Sequence, residues 1–461
     1  MGFVVIILGI GDSSIFTARG YESQTKEPWP NIILLTVDGV NASHLNLYGY
    51  ERQTTPFLSS HKDKLIFSNN HFTNSGNTSG STTAILTGKL PTTTRVLYPP
   101  DILRGNDTIE HLPAILKEKG YHVAQYSVQH FVDAINLNFQ NGFSEANGVS
   151  INSKGLAYRL SQSFPSNSKL FLQEVESRLS DRLGHIFFVK DMENTFTQIT
   201  QTQLNFNDME KIEQANDIIK NHEEPVFVHV HWMGTHGSRF YPISTEFSEG
   251  IDRASQDSWN QDLYDDAILD FDNAIAYLYN FLEEIQEVED TIILVTSDHG
   301  QKFTVKDRLP LILLLPNSWL QDIPDGNTQN IDIAPTILDI LEIPKPYWMQ
   351  GDSIFRQSTS DEIIFALSTH KSMASEGKWT LDPAYVEPPF FQFDSITTID
   401  CDKVYRLDLE KFTWSKMTVA NRIGVCPEDR YLMPSEIRSA VIEKLKNDKF
   451  EFDEDLIPEI H

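Results

Sequence analysis

Cysteine is nearly absent from this chain, which contains only Cys401 and Cys426 among its 461 residues. These two positions lack the paired spacing of a zinc knuckle, so a structural zinc site made of cysteines is excluded. A disulfide, which an exported protein would form, and two free thiols agree equally well with the sequence. Neither cysteine is a candidate nucleophile.

Basic residues are also scarce, since 37 Lys and Arg face 65 Asp and Glu, which gives a net charge of −28. A protein that binds nucleic acid needs a basic face, so we expect no nucleic-acid partner. Solubility at high salt and attraction of metal ions to a local acidic cluster would both explain the acidity.

Long hydrophobic runs are missing as well, because the apolar run Phe3 to Ile10 has only eight residues. This length is too short to span a membrane. The run resembles a signal-peptide core without its basic start, or the end of a truncated anchor, and a buried strand is the alternative. We expect residues 1–30 to form an N-terminal apolar segment followed by a linker, Tyr21 to Pro30.

Two buried strands are predicted to end in acidic residues. The run Thr291 to Thr296 leads into Ser-Asp298-His299-Gly, and the run Asn31 to Val37 leads into Asp38-Gly. Continuous apolar runs of this kind are typical of central parallel strands. Sites in open α/β sheets lie at the carboxyl ends of the strands, and Asp with His suits a divalent metal. An Asp-His pair that only caps the next segment is the alternative interpretation.

A hydroxyl- and glycine-rich loop, which begins at Asn74, leads into a predicted helix from Ser81 to Thr87 that Gly88 closes. Hydroxyls at a helix N-terminus lie beside free N–H groups in a positive field, which favours an alkoxide or an anionic substrate. Simple capping of the helix by Thr78 or Ser81 would explain the same residues.

Histidines follow three of the predicted strands. His130 lies just past the strand Tyr121 to Ser127, and the strand Pro225 to Trp232 is followed by a turn that His231 and His236 flank. A lone histidine is most often structural, but His130, His236 and His299 each lie beyond a different strand. This repetition favours a shared site.

The order of the remaining elements indicates an α/β fold with a mostly parallel central sheet between helices. The predicted elements are helices Asp107 to Lys119, Tyr264 to Glu284 and Asp332 to Leu341, and a strand Leu309 to Leu315. We expect a catalytic domain over residues 31–355 and a small C-terminal α+β subdomain over 356–461. The subdomain contains predicted strands Ile363 to Leu367 and Val404 to Leu409 and a helix Ser435 to Asn447.

Together these motifs resemble the sulfatase-like branch of the alkaline-phosphatase superfamily, from about Asn31 to Phe355. The segments that carry the resemblance are NIILLTVDG, AILTGKLP, LPAILKEKGYHVA, YDDAILDFDNAI, TIILVTSDHG, RLPLILLLP and IDIAPTILDIL. The resemblance implies an alkaline-phosphatase-like fold and a metal-dependent hydrolase or phosphotransferase.

The sequence departs from the sulfatase pattern at the nucleophile. The family places it nine residues before the Thr of the L-T-G turn, which here makes it Thr78. Sulfatases carry a Cys or Ser at this position, within the motif C/S-x-P-x-R, and this residue is modified. This chain lacks the modifiable residue, the Pro and the Arg. The lysine that the family has two residues before His130 is also missing. In having an unmodified Thr at the nucleophile position, the chain resembles phosphoethanolamine transferases and lipoteichoic-acid synthases.

The resemblance also implies roles for individual residues. Asp38, Thr78, Asp298 and His299 would bind one divalent metal, and Gly39 replaces a second Asp that sulfatases usually have. The presence of His299 favours Zn²⁺, with Mn²⁺ or Ca²⁺ as alternatives. The side chains that would contact the transferring group or protonate the leaving oxygen are His130 and His236, with Lys302 or Lys306 as an assisting cation.

We therefore predict an enzyme that acts on phosphate or sulfate esters through a covalent Thr intermediate. A sulfatase with an atypical nucleophile and a non-catalytic binding protein on the same fold are the alternatives. The substrate would be a small-molecule, glycan or lipid-linked ester. We expect an extracytoplasmic or membrane-associated protein that lies near a membrane through its N-terminus. A cytoplasmic location is the alternative. The sequence does not indicate an oligomeric state.

Overall fold

The computed structural model of the protein describes residues 29–99, 101–128, 131–151, 208–316, 323, 326–356, 363–369, 372–373, 379–380, 388–426 and 431–461. Its strands, numbered in chain order, are β1 Asn31–Val37, β2 Leu65–Phe67, β3 His71–Phe72, β4 His122–Tyr126, β5 Glu145–Ala146, β6 Val149–Ser150, β7 Val226–Trp232, β8 Thr291–Ser297, β9 Leu311–Leu314, β10 Thr328–Gln329, β11 Ile364–Thr369, β12 Ser372–Met373, β13 Trp379–Thr380, β14 Phe393–Asp400, β15 Lys403–Asp408 and β16 Thr413–Thr418. The α-helices are α1 Pro56–Ser60, α2 Thr78–Thr87, α3 Pro91–Thr94, α4 Leu112–Glu118, α5 Asp208–Asn221, α6 Gln261–Glu284, α7 Ile333–Ile340 and α8 Pro434–Asn447.

An eight-stranded sheet in the order β2-β9-β8-β1-β7-β4-β5-β6 forms the centre of the fold. Strand β1 pairs in parallel with β7 and β8, and β4 pairs in parallel with β7, whereas β9 and β2 are antiparallel additions. The predicted α/β fold with a mostly parallel sheet is confirmed. Because β8, β1 and β7 are adjacent and parallel, the residues that follow them lie side by side at the carboxyl ends of the strands.

Helices cover both faces of this sheet, as the continuous apolar runs predict. Alternate residues of β1 point to opposite faces: Ile33 and Leu35 pack with the apolar side of α6, and Ile32 and Leu34 lie in a second cluster. The second cluster contains Ile85 of α2 and residues of α4 and α7. The helix that begins with Thr78 is therefore held on the sheet by its own buried side chains.

A second, antiparallel sheet in the order β11-β14-β15-β16 forms the C-terminal part, and α8 packs against it. The backbone N–H of Leu367 in β11 donates to the Asn74 carbonyl, and the Gly76 N–H donates to the Leu367 carbonyl. The second sheet thus contacts the loop that precedes α2. Cys401 and Cys426 form a disulfide, which decides between the two states that the sequence left open. The boundary at residue 355 stays a prediction.

Several predicted elements differ in extent from those observed. The helix expected from Asp107 is a 3₁₀ turn, Gly105–Thr108, followed by the shorter α4, because His111 accepts the Ala114 N–H on Nδ1 and starts a new helix. Helix α2 begins three residues earlier than predicted, at Thr78. The apolar run Phe3 to Ile10 lies outside the described residues. Among the helices that the structure describes, none combines the length and apolar character needed to cross a membrane.

Candidate active site

The site lies where β8, β1 and β7 end side by side. The Asp38 N–H donates to the Trp232 carbonyl at 3.0 Å, and the Asp298 N–H donates to the Val37 carbonyl at 3.2 Å. Gly39 has a left-handed φ of 65°, which turns the chain so that its N–H donates to Asp298 Oδ1 at 3.0 Å. The strand register therefore brings two carboxylates from distant parts of the sequence together.

Asp38 is the centre of a cluster of polar side chains. Its Oδ1 lies 3.1 Å from His236 Nδ1 and 3.9 Å from His299 Nε2. Its Oδ2 lies 3.2 Å from the Thr78 hydroxyl oxygen and 3.7 Å from His231 Nε2. The carboxylate is thus surrounded by three imidazoles and one hydroxyl group.

Thr78 is the first residue of α2, and its hydroxyl does not cap the helix. The N-cap position belongs to Asn77, in extended backbone, and no side-chain cap hydrogen bond is formed. The Thr78 hydroxyl instead donates to Asp38 and lies 3.4 Å from His299 Nε2. The capping alternative is therefore wrong for Thr78, and the hydroxyl faces the carboxylate cluster from the positive end of a helix.

The two carboxylates titrate differently. Burial alone would raise the pKa of Asp38, but the charges of His236 and His299 hold it well below its usual value. Burial and then the charge of Asp38 raise the pKa of Asp298. Two fully buried acidic groups this close together favour a bound cation, because a cation offsets both the desolvation and the repulsion.

The donor set fits a divalent metal ion. One ligand atom each from Asp38, His231 and Asp298 lie within 4.8 Å of one another, and all three residues are buried. Asp298 Oδ2 and His231 Nε2 are buried without a hydrogen-bond partner in the described parts of the chain. Buried polar atoms normally have a partner, and mixed O/N donors suit zinc or manganese.

Comparison with protein families agrees with this site. The sulfatase family model matches residues 30–343, which is more than half of the chain. The chain belongs to the sulfatase family. The matched span includes Asp38, Thr78, His236, Asp298 and His299, and the resemblance stated from the sequence motifs is confirmed.

Two curated relatives of this sulfatase-family chain are themselves named as sulfatases. It is 26% identical over 358 residues to an arylsulfatase from Hemicentrotus pulcherrimus, covering 68% of this chain and 58% of the relative. It is 25% identical over 305 residues to an N-acetylgalactosamine-6-sulfatase from Canis lupus familiaris, covering 62% and 53%. The chain thus spans little more than half the length of these curated relatives.

Two solved structures share the fold. A protein in the alkaline phosphatase superfamily from Vibrio parahaemolyticus has a TM-score of 0.54 at 16% identity, covering 92% of this chain and 86% of that one. Phosphonate monoester hydrolase from Silicibacter pomeroyi has a TM-score of 0.56 at 15% identity, covering 91% and 94%. The alkaline-phosphatase-like fold predicted from the sequence is confirmed.

Five of the predicted residues of this sulfatase-family site lie together. Asp38, Thr78, His236, Asp298 and His299 are all in the cluster, with His299 Nε2 at 3.4 Å from Asp298 Oδ2. His130 lies outside the described residues. The roles of these residues stay predictions, because proximity alone does not assign chemistry.

The two predicted lysines contact an aromatic ring and a thioether. The Lys302 ammonium lies 5.7 Å from the centre of the Trp259 ring, and Lys306 Nζ lies 3.9 Å from Met417 Sδ. Within the described residues, the ion pairs of Asp38 all involve histidines. An assisting role for Lys302 or Lys306 also stays a prediction.

His231 is a candidate ligand that the sequence analysis did not assign. It was recognised only as a residue flanking the turn, because it lies inside an apolar strand and not after it. The signal that could have identified it is the alternation His229-Val-His231, which places two imidazoles on the same side of β7. Both rings contact the hydroxyl of Thr36 on β1, at 2.9 and 2.7 Å.

A chain of hydrogen bonds orients His231. The Gln125 amide is fixed because its Oε1 accepts the Ala134 N–H and its Nε2 donates to the Val132 carbonyl. The same Nε2 lies 3.0 Å from His229 Nδ1, which must therefore accept, and His229 Nε2–H donates to the Thr36 hydroxyl. If His231 Nδ1–H also donates to that hydroxyl, His231 Nε2 presents a lone pair to the carboxylates.

The backbone around His231 is held by a buried ion pair on α5. Lys211 Nζ donates to Asp208 Oδ1 at 2.6 Å and to the His231 carbonyl at 2.8 Å. Asp208 Oδ2 accepts the Met233 N–H at 2.9 Å. This pair fixes the end of β7 and the start of the turn that carries His236.

We expect Thr36→Val to weaken metal binding about 10- to 100-fold, the usual cost of losing an outer partner of a ligating histidine. The change keeps the volume of the side chain but removes the hydroxyl that His229 and His231 share. Thr296→Val is the matched control, because Thr296 pairs with Thr36 across the sheet and donates to the Pro310 carbonyl instead. Competition with a chromogenic chelator measures both affinities, and equal values would remove His231 from the ligand set.

Proposed function

We propose that the protein is a metal-dependent hydrolase or transferase of phosphate esters in which Thr78 carries the transferred group. The observation that carries the proposal is the position of the Thr78 hydroxyl, 3.2 Å from Asp38 Oδ2 and at the N-terminus of α2. A hydroxyl group held among carboxylates and imidazoles at a positive helix end fits an activated nucleophile.

The metal would be held by Asp38, Asp298, His299 and Thr78, with His231 as a further donor, and zinc is our first choice. When bound, it would lower the pKa of the Thr78 hydroxyl and screen the negative charge of the substrate. These oxygen and nitrogen donors lie together, and all of them except the partly buried Thr78 are buried.

The protein's own residues then divide the reaction into two steps. The Thr78 hydroxyl first loses its proton to solvent. Thr78 Oγ1 then attacks phosphorus as the bond from phosphorus to the ester oxygen breaks, and His236 gives a proton to the departing alkoxide. In the second step, water or an acceptor alcohol attacks the phospho-threonine, Thr78 leaves, and His236 takes the proton of the attacking group. The side chain of His236 is 20% exposed and that of Asp38 only 1%, so His236 lies on the solvent side, where an alcohol can leave.

Phosphate is favoured over sulfate by the charges around the nucleophile. A phosphoryl group carries more negative charge than a sulfuryl group and depends more on the metal. The arginine and lysine of the sulfatase pattern are missing, and the described ion pairs of Asp38 involve imidazoles only. Losing two cations while keeping the metal donors penalises sulfate more than phosphate.

Sulfate-ester hydrolysis is the second candidate, and the names of the relatives favour it. The arylsulfatase and the N-acetylgalactosamine-6-sulfatase are named for sulfate esters, the latter of an amino sugar. A small-molecule or glycan ester thus fits either reaction, and a lipid-linked ester stays a prediction. The Cys401–Cys426 disulfide agrees with the predicted extracytoplasmic location.

A substrate comparison tests the proposal. Metal-free protein is supplied with Zn²⁺, Mn²⁺ or Ca²⁺ and assayed with 4-nitrophenyl phosphate, bis-4-nitrophenyl phosphate and 4-nitrophenyl sulfate. We expect a phosphate ester to give a kcat/KM at least about tenfold above the sulfate, a difference of about 1.4 kcal/mol in transition-state stabilisation. A higher value for the sulfate would assign the chain as a sulfatase with an atypical nucleophile. No turnover with any metal would favour a binding protein.

A further inference from the structure

A second group of His and Glu side chains lies near the amino ends of the parallel strands, at the end of the sheet opposite to the active site. His122 is the first residue of β4, His222 directly follows α5, and Glu224 lies in the short connection to β7. The His122 N–H donates to the Pro225 carbonyl at 2.9 Å, and His122 pairs with Val226. The sheet therefore fixes the backbone on both sides of this group.

The side chains of this group are close enough to share an ion. One ligand atom each from His122, His222 and Glu224 lie within 4.8 Å of one another. His222 Nδ1 and Glu224 Oε1 are 3.3 Å apart, which is about the separation of two ligands on a tetrahedral zinc ion with bonds of about 2.0 Å. The two imidazole rings stack with their centres 3.8 Å apart.

We propose that His122, His222 and Glu224 bind a second divalent ion of the zinc class, separate from the active site. Two imidazoles and a carboxylate are a common zinc ligand set, in which the fourth position is filled by water. Glu145 Oε2, at 3.9 Å from His122 Nε2, adds a second negative charge beside the ion. Strand β7 runs from this group to His231, so the two sites lie roughly 15–20 Å apart.

The state of His122 supports a ligand role. Its Nε2 atom is buried and has no hydrogen-bond partner among the residues that the structure describes. An unpaired buried nitrogen costs free energy, and an ion at this position would satisfy it.

Binding requires only side-chain rotation. The ligand atoms must approach from within 4.8 Å to the tetrahedral spacing, and the stacked rings must turn towards a common point. The side chains of His122, His222 and Glu224 are 16%, 27% and 49% exposed, which leaves room for this movement. The ion would connect the start of β4 to the connection between α5 and β7 and stabilise both.

The test separates this ion from the active-site ion. Asp298→Asn removes a carboxylate of the active site, so this variant is dialysed against Zn²⁺ and its bound metal is measured by elemental analysis. We expect about one equivalent of zinc, bound so that the melting temperature rises. Adding His222→Gln should abolish both the bound zinc and the rise in melting temperature. Adding Glu224→Gln removes a direct ligand, so it should weaken zinc binding by more than the roughly 10- to 100-fold cost of losing a residue that only contacts a ligand.

The matched control is His61→Gln, which changes a partly exposed histidine that follows α1 and contacts the Phe57 carbonyl. This variant should keep the second equivalent. In the otherwise unchanged chain, His222→Gln should lose one equivalent of zinc and keep its esterase activity. Zinc binding that neither His222→Gln nor Glu224→Gln alters would overturn the proposal, and so would the absence of any zinc in Asp298→Asn. Metal-free melting temperatures of all variants show whether a loss reflects unfolding.

Discussion

Replacing Thr78 with alanine is expected to reduce kcat by about 10³-fold or more, because a nucleophile that acts together with its metal cannot be replaced by water in the same position. Thr78→Ser should retain part of the activity, since it keeps the hydroxyl but loses the methyl group that restricts its rotamer. Rapid acid quench during turnover of a phosphate ester should leave phosphate on the peptide that contains Thr78, as mass spectrometry can detect.

Thr82→Ala is the matched control for Thr78, because it makes the same change on the same helix. Thr82 is buried one turn later in α2, and its hydroxyl oxygen has no hydrogen-bond partner within the described residues. It should cost stability through a small cavity but keep the rate per folded molecule. Equal kcat values for wild type and Thr78→Ala would remove Thr78 as the nucleophile, and an unlabelled peptide would remove the covalent intermediate.

Asp298→Asn is expected to change activity and stability in opposite directions. It should abolish turnover, because the active site loses a charged metal donor. The metal-free variant should nevertheless melt a few degrees above the metal-free wild type. Asp298 Oδ1 accepts the Gly39 and His299 N–H groups, which an amide oxygen can also do. Its Oδ2 is buried without a hydrogen-bond partner among the described residues, with His299 Nε2 at 3.4 Å, and the charge of Asp38 repels it. Functional groups that are unfavourable for the fold commonly behave in this way.

Asp266→Asn serves as the control for this stability effect. Asp266 is also fully buried, but its two oxygens accept hydrogen bonds from the Phe247 N–H, the Ser248 N–H and the Ser248 hydroxyl. Removing that charge should lower the melting temperature and leave the metal content unchanged. If calorimetry on metal-free samples shows that Asp298→Asn melts below wild type, the buried carboxylate of Asp298 is not a source of instability.

The carboxylates of the site could be predicted because each one is marked by the residues directly before and after it in the sequence. An apolar run ending in Asp-Gly, and another ending in Asp-His-Gly, predict a buried strand and its carboxyl end without reference to the rest of the chain. The order β8-β1-β7 is different, because it depends on packing between segments far apart in sequence. The same holds for the direction of β9, since an apolar run does not distinguish a parallel strand from an antiparallel one.

The direction of the Lys302 side chain could not be predicted from sequence spacing. Lys302 and Lys306 are near the Asp-His-Gly turn in the chain, so sequence distance predicts that they could reach the substrate. In the structure, Lys302 and Phe303 both have left-handed φ angles, of 61° and 63°, and this turn directs the Lys302 side chain to Trp259. Two successive residues with positive φ are rare away from glycine, so the residue types at these positions give no reason to expect them.

The position of β1 between β7 and β8 has a consequence for how the active site forms during folding. Asp38 follows the first described strand, and Asp298 follows β8, with 259 positions separating Gly39 from the Asp298 side chain that it contacts. Neither segment alone brings more than one carboxylate to the site, and pairing across such a distance requires slow, non-local contacts. Tight metal uptake at this site therefore has to follow chain collapse, and the time course of metal capture during refolding would report the pairing of β1 with both of its neighbours.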